Sequence, residues 1–144
     1  MKRLNLLCHA RRMAFIAIAM AVPGVAGAID NADIYGRWRI TKVLGAAEVA
    51  AMSDKAAWGL IGKTARIQQH SFSFNGETCE EPSYERSTQD LVRSFREEGH
   101  ASPAHMGLPD PVTSIDARCT HFFLKRPGVI VIHWGGYYFD AVKY

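Results

Sequence analysis

Little in this sequence points to a recognised catalytic apparatus. Its 144 residues contain no G-x-S-x-G elbow, no H-E-x-x-H, no P-loop and no G-x-G-x-x-G. That removes the common serine-hydrolase, zincin, nucleotide-phosphate and dinucleotide-binding readings. Only three cysteines are present, Cys8, Cys79 and Cys119. No apolar run approaches the ~20 residues needed to cross a bilayer. Six prolines and 12 glycines without period exclude a collagenous or low-complexity chain. With 48% hydrophobic and 22% charged residues, the chain is expected to fold as one ordinary domain.

What is there begins with a leader. Lys2, Arg3, Arg11 and Arg12 form a basic region ahead of the apolar stretch from Met13 to Val22. Pro23 and Gly24 follow, and Ala26-Gly27-Ala28 supplies the small-x-small pattern of a signal-peptidase site. Cleavage is expected after Ala28, leaving residues 29–144 as a single domain in the periplasm or outside the cell. No cysteine follows the apolar run, so no lipid anchor and no stable membrane attachment are expected. The leader holds four basic and no acidic residues, so residues 29–144 carry 13 basic against 14 acidic groups. A nucleic-acid partner is therefore not expected.

Cys8 leaves with the leader, and the remaining pair, Cys79 and Cys119, is expected to form a disulfide in an oxidising compartment. The alternative, a metal site using Cys119 and His121, has no second close ligand pair.

Alternation dominates the rest. Ile34, Trp38 and Ile40 share one strand face, with Tyr35, Arg37, Arg39 and Thr41 on the other. Ser53 is a plausible cap for a short helix ending near Gly62. Asn75-Gly76 predicts a tight hairpin pairing Phe74 with Glu77, Ser73 with Thr78 and Phe72 with Cys79. Ile115, Ala117 and Cys119 alternate inward, so a buried disulfide is expected. Ser87-Thr88-Gln89-Asp90 resembles a capping box and predicts a helix from about Thr88 to Glu98. Gly99 to Pro111 is an aperiodic loop of the kind that is often functional or mobile. Three C-terminal strands follow, turning at Pro127-Gly128 and Gly135-Gly136. Their expected register places Trp134 beside Tyr137, Ile132 beside Phe139, His133 beside Tyr138 and Val131 beside Asp140.

The fold class expected is mainly β: a small antiparallel up-and-down barrel of about eight strands with one or two short helices, or else a two-sheet β-sandwich. Gly36-Arg37-Trp38 resembles the G-x-W motif of lipocalins and their calycin relatives, in which the Trp closes one end of such a barrel. Gly76 to Tyr84, a G-x-x-C-x-x-P-x-Y stretch, resembles small exported bacterial proteins of unassigned function. These resemblances imply architecture more than activity.

Candidate chemistry is sparse. His100, His105 and Met106 lie on the aperiodic loop, where soft and borderline ligands are conceivable for copper or zinc but a solvated loop is favoured. No metal and no cofactor are expected. His133, Tyr138 and Asp140 share one hairpin face, the arrangement a general base oriented by a carboxylate would need. The competing reading is a solvent-facing polar pair. Glu77, Glu80, Glu81 and Glu85 read as a solvated edge. Trp38, Phe72, Phe74, Phe123, Ile132, Trp134 and Phe139 are assigned inward, enough bulk to fill a small barrel. A filled barrel acts through its rim and loops. The expected function is thus a non-catalytic binding protein for a macromolecular partner, such as an inhibitor of a secreted hydrolase. The alternatives are a carrier of a small apolar ligand and, last, a His-dependent enzyme. Binding candidates are Trp38, His100, His105, Met106, His133, Tyr138 and Asp140.

Overall fold

Alternating apolar side chains at period two give strands, and nine of them make a single curled antiparallel sheet, a half-barrel, with two helices. The computed structural model describes residues 30–144; the expected leader and its cleavage site lie outside them. The strands are β1 (Gly36–Ala46), β2 (Thr64–Gln68), β3 (Ser71–Phe74), β4 (Glu77–Glu80), β5 (Glu85–Gln89), β6 (Val112–Asp116), β7 (His121–Arg126), β8 (Val129–Trp134) and β9 (Tyr137–Lys143). Helix α1 is Asp54–Trp58 and α2 is Leu91–Gly99. Spatial order is β4-β3-β2-β1-β9-β8-β7-β6-β5. Each strand thus lies beside its sequence neighbours, except that β1 joins β9 at the centre and β4 and β5 are the two edges.

One sheet replaces the sandwich alternative, and it stops short of hydrogen-bonded closure. The β4 and β5 edges are linked by the chain at 81–84 and by side chains. Arg118 donates to the Glu80 and Glu81 carbonyls at 3.0 and 2.9 Å. The Tyr84 hydroxyl donates to the Gln68 and Ser71 carbonyls at 2.7 and 3.1 Å. Cys79 and Cys119 form the disulfide, with Cα atoms 6.4 Å apart. It is not the buried bridge expected. Strand β6 ends at Asp116, so Cys119 sits in the following turn, exposed, while Cys79 is half-buried.

The concave face holds the main core: Trp38, Ile40, Ile67, Phe72, Phe74, Phe122, Ile132 and Phe139 are all sealed from solvent. Phe122, not Phe123, points inward. The β7–β8 register sets Phe122 opposite Ile132 and Phe123 opposite Val131, and a one-residue shift moves a side chain to the other face. The two hairpin registers read from Asn75-Gly76 and Gly135-Gly136 both occur. Asn75 and Gly76 take φ values of 51° and 86°, the left-handed pair a type I′ turn requires.

The segment 87–90 departs from expectation. Ser87, Thr88 and Gln89 are strand, paired with Ser114, Thr113 and Val112. Hydroxyl pairs Ser87–Ser114 and Thr88–Thr113, both 3.0 Å, favour that pairing over a helical turn. Asp90 alone is the cap, accepting from the Arg93 amide at 2.8 Å, and α2 begins only at Leu91. The short helix capped by Ser53 forms as read but ends at Trp58, with Gly59 as its C-cap, before Gly62.

Helix α2 and the 100–111 loop cover the convex face of β6–β9. Phe95 and Met106 pack there on Val112, Phe123, Val131 and Tyr138. The aperiodic loop is therefore a lid of core, with Met106 2% exposed.

Candidate functional site

The Gly135-Gly136 turn organises one rim of the half-barrel. Residues 47–53 strap across it, with Ala47 and Ala51 amides donating to the Gly136 and Gly135 carbonyls at 2.7 and 2.9 Å. At Gly136, φ is +84° and an added Cβ would sit 2.5 Å from the Ala50 Cα, so only glycine admits the strap. On one side of the strap lies an open cleft of about 600 Å³. Its walls include Met52, Glu77, Arg118, His121, His133 and Trp134. On the other side a second cleft, about 410 Å³, lies between the strap and the end of α2, lined by Glu98, Gly99 and His133. His133 borders both.

Behind His133 lies a polar cluster. His133 pairs with His121 across β7–β8 and with Tyr138 across β8–β9. Its ring stacks on Tyr138, centroids 4.4 Å apart. Glu98 enters from α2 and Asp116 from the end of β6, 3.6 Å from the His121 ring nitrogen. Among the described residues, the buried side-chain polar atoms without a partner are Glu98 Oε2, His133 Nε2 and the Tyr138 hydroxyl. All three lie in this cluster. Thr120, donating to the His133 carbonyl, fixes the strand beneath it.

Burial sets the protonation states. It pushes the Glu98 carboxyl up, opposed by His121 and reinforced by Asp116. It pushes the His133 imidazole down, with His121 adding to the effect. The Tyr138 phenol is pushed up to about 12, by burial and then by Glu98. The site thus offers a neutral imidazole and a phenol that stays protonated.

Stability should follow with opposite signs. The raised Glu98 carboxyl contributes stability at low pH that is lost as pH rises through its folded value. The depressed His133 contributes stability above about pH 6.5, lost as pH falls from there toward its folded value. Glu98→Gln should therefore raise the melting temperature at pH 8 and give no gain at pH 4. Thermal melts of parent and variant across that range check it; a gain as large at pH 4 as at pH 8 would sink the assignment.

The sequence candidates are distributed as follows. His133 and Tyr138 come together and stack, Tyr138 sealed from solvent and His133 half-buried. Asp140 does not join them; Lys125 binds both its oxygens, at 2.8 and 3.0 Å. No carboxylate from this hairpin orients His133, which leaves the general-base arrangement without its third member. His100 is exposed, its ring 3.9 Å from Glu48, and His105 is exposed on the loop whose Met106 points into the core. Among the described residues no group of three His, Cys, Asp or Glu is placed to hold a metal ion. Trp38 is buried and donates to the Ile34 carbonyl at 2.7 Å, with Lys143 Nζ 5.5 Å from its ring centroid. It helps floor an apolar cleft of about 430 Å³ with Ile34, Leu124 and Ile130. Sequence reasoning missed Glu98, and weighed His121 only as a metal ligand beside Cys119. The helical spacing of Ser94 and Glu98 was the available signal for Glu98.

Compared with protein-family models, curated proteins and solved structures, the chain matches none. The lipocalin likeness thus rests on Gly36-Arg37-Trp38 and a curled antiparallel sheet compatible with a barrel-like fold. The disulfide accords with an oxidising compartment, and no helix among the described residues is long and apolar enough to cross a membrane.

Proposed function

We propose that residues 29–144 form an exported, non-catalytic binding module that meets a macromolecular partner through the Gly135-Gly136 rim and its loops. An inhibitor of a secreted hydrolase is the form this reading favours. The observation that supports it is the occupied interior. Trp38, Phe72, Phe74, Phe122, Ile132 and Phe139 fill the concave side, each 2% exposed or less, while clefts of several hundred Å³ open on the outside. A lipocalin-type carrier needs its cavity within the curl. The apolar cleft beside Trp38 favours a second reading, a small apolar ligand held at that end.

Native mass spectrometry of the chain, recovered gently from its host's envelope, tests the choice. The expected result is a stoichiometric protein complex that weakens by about an order of magnitude on Glu77→Lys at the rim cleft. A small-molecule adduct of a few hundred daltons, lost on Trp38→Phe and retained on Glu77→Lys, would overturn it in favour of the carrier.

A further inference from the structure

The convex face is covered unequally. Helix α2 and the 100–111 loop lie over β6–β9, but among the described residues no helix or loop covers the outer side of β2 and the first half of β1. There Arg37, Arg39 and Arg66 are all exposed. Arg37 and Arg66 stand directly opposite in the β1–β2 register. Like charges so placed are destabilising in a strand pair. No salt bridge among the described residues engages any of the three. Tyr144 lies among them, its ring centroid 4.8 Å from the Arg37 guanidinium carbon and 4.4 Å from that of Arg39. Its hydroxyl is 2.6 Å from that of Thr64. The ring holds two guanidinium groups on a flat face without neutralising them.

A second feature adjoins this face. The chain from α1 into β2 runs beside Ile40, with the Gly62 amide on the Ile40 carbonyl at 2.8 Å and the Ile40 amide on the Lys63 carbonyl at 2.9 Å. On that run Trp58 is 60% exposed and Ile61 40%, flanked by the exposed Lys55 and Lys63. An exposed Trp beside cations is the composition of side chains that settle at a membrane–water interface.

We propose that this bare face of β1 and β2, with Trp58 and Ile61 at its end, docks the protein peripherally on an anionic, phosphate-bearing lipid bilayer. Planar guanidinium groups bind phosphate oxygens in pairs, which lysines do not. Neither β1 nor β2 carries an acidic residue, and four of the domain's 14 acidic groups, Glu77, Glu80, Glu81 and Glu85, lie at the β4–β5 seam instead. The exposed Trp and Ile favour a bilayer over a soluble polyanion, which has no apolar layer to receive them. The surface is separate from the rim cleft, so either assignment can fail without the other.

Co-sedimentation with phosphatidylcholine vesicles, with and without phosphatidylglycerol, tests it on the chain as its host processes it. Any N-terminal contribution is common to parent and variants and cancels in the comparison. The parent should pellet with the anionic vesicles and stay in solution with the neutral ones. Combined Arg37→Gln, Arg39→Gln and Arg66→Gln should weaken binding by about two orders of magnitude, roughly fivefold per arginine. Trp58→Ser should weaken it several-fold with an unchanged salt dependence. Raising salt on the unaltered parent should reproduce the arginine loss, which keeps the test valid if the triple variant misfolds. Equal pelleting with neutral vesicles, or salt-independent binding, would overturn the proposal. So would displacement of the parent by short duplex DNA together with full binding by Trp58→Ser, which would mark a general polyanion site.

Discussion

Replacing Cys79 with Ser should lower the free energy of unfolding by roughly 3–4 kcal/mol, the chain-entropy value for a loop of this length. The bridged residues are 40 apart in sequence. A domain of ordinary stability has only about 5–15 kcal/mol to lose, so the melting temperature should drop by on the order of 15 °C. The native side adds to the effect. Strands β4 and β5 share no ladder, and the disulfide is the covalent clasp between β4 and the β6–β7 turn across that seam. Cys119→Ser should give the same loss, and the double substitution no more than either single one. Treating the parent with reductant should reproduce the shift. If either single variant melts within a degree or two of the parent under oxidising conditions, the bridge is not contributing to the fold.

Trp38→Ala should cost about 3–5 kcal/mol, the usual range for deleting a sealed aromatic. Trp38 lies at the centre of the sheet, between the β2 partner Ala65 and the β9 partner Lys143. Its loss opens a void that two strands border. Trp38→Phe should cost less, about 1–3 kcal/mol, part of it from the Ile34 carbonyl that loses its buried donor. Urea titrations separate the cases: the midpoint should fall in both variants with the slope unchanged. A Trp38→Ala midpoint close to the parent's would mean that the concave side is loosely packed, and would remove the support for a filled interior.

The hairpins were the most legible part of the sequence. Asn75-Gly76 and Gly135-Gly136 each impose a turn whose register follows from two-residue geometry, and alternation on the flanking strands then selects the buried face. Where the local signal was doubled, the reading failed. Phe122 and Phe123 are adjacent and both apolar, so only the pairing with Ile132 and Val131 decides which one faces the concave core. Ser87 to Asp90 satisfies a helix cap and a β pair alike, and the partner hydroxyls on Ser114 and Thr113, remote in sequence, settle it for β. The candidate site was half legible. The juxtaposition of His133 and Tyr138 follows from the turn. The capture of Asp140 by Lys125 and the entry of Glu98 depend on β7 and on how α2 docks, which no local pattern encodes.

The central pairing of β1 with β9 has a consequence for how the chain reaches its native state. Strands β2–β3–β4 and β5 through β9 are each joined by short connections or by one helix and its loop, so each block assembles from near neighbours. The junction of the blocks does not: Thr41 and Asp140, hydrogen-bonded across it, are 99 residues apart. Closing that contact carries the largest loop entropy in the topology and should set the folding rate, placing the protein among slow, high-contact-order folders. Until β9 arrives, β1 presents an unsatisfied backbone edge beside β2. A partly synthesised chain is therefore most vulnerable to wrong pairing at β1, the strand that carries Trp38, Arg37 and Arg39.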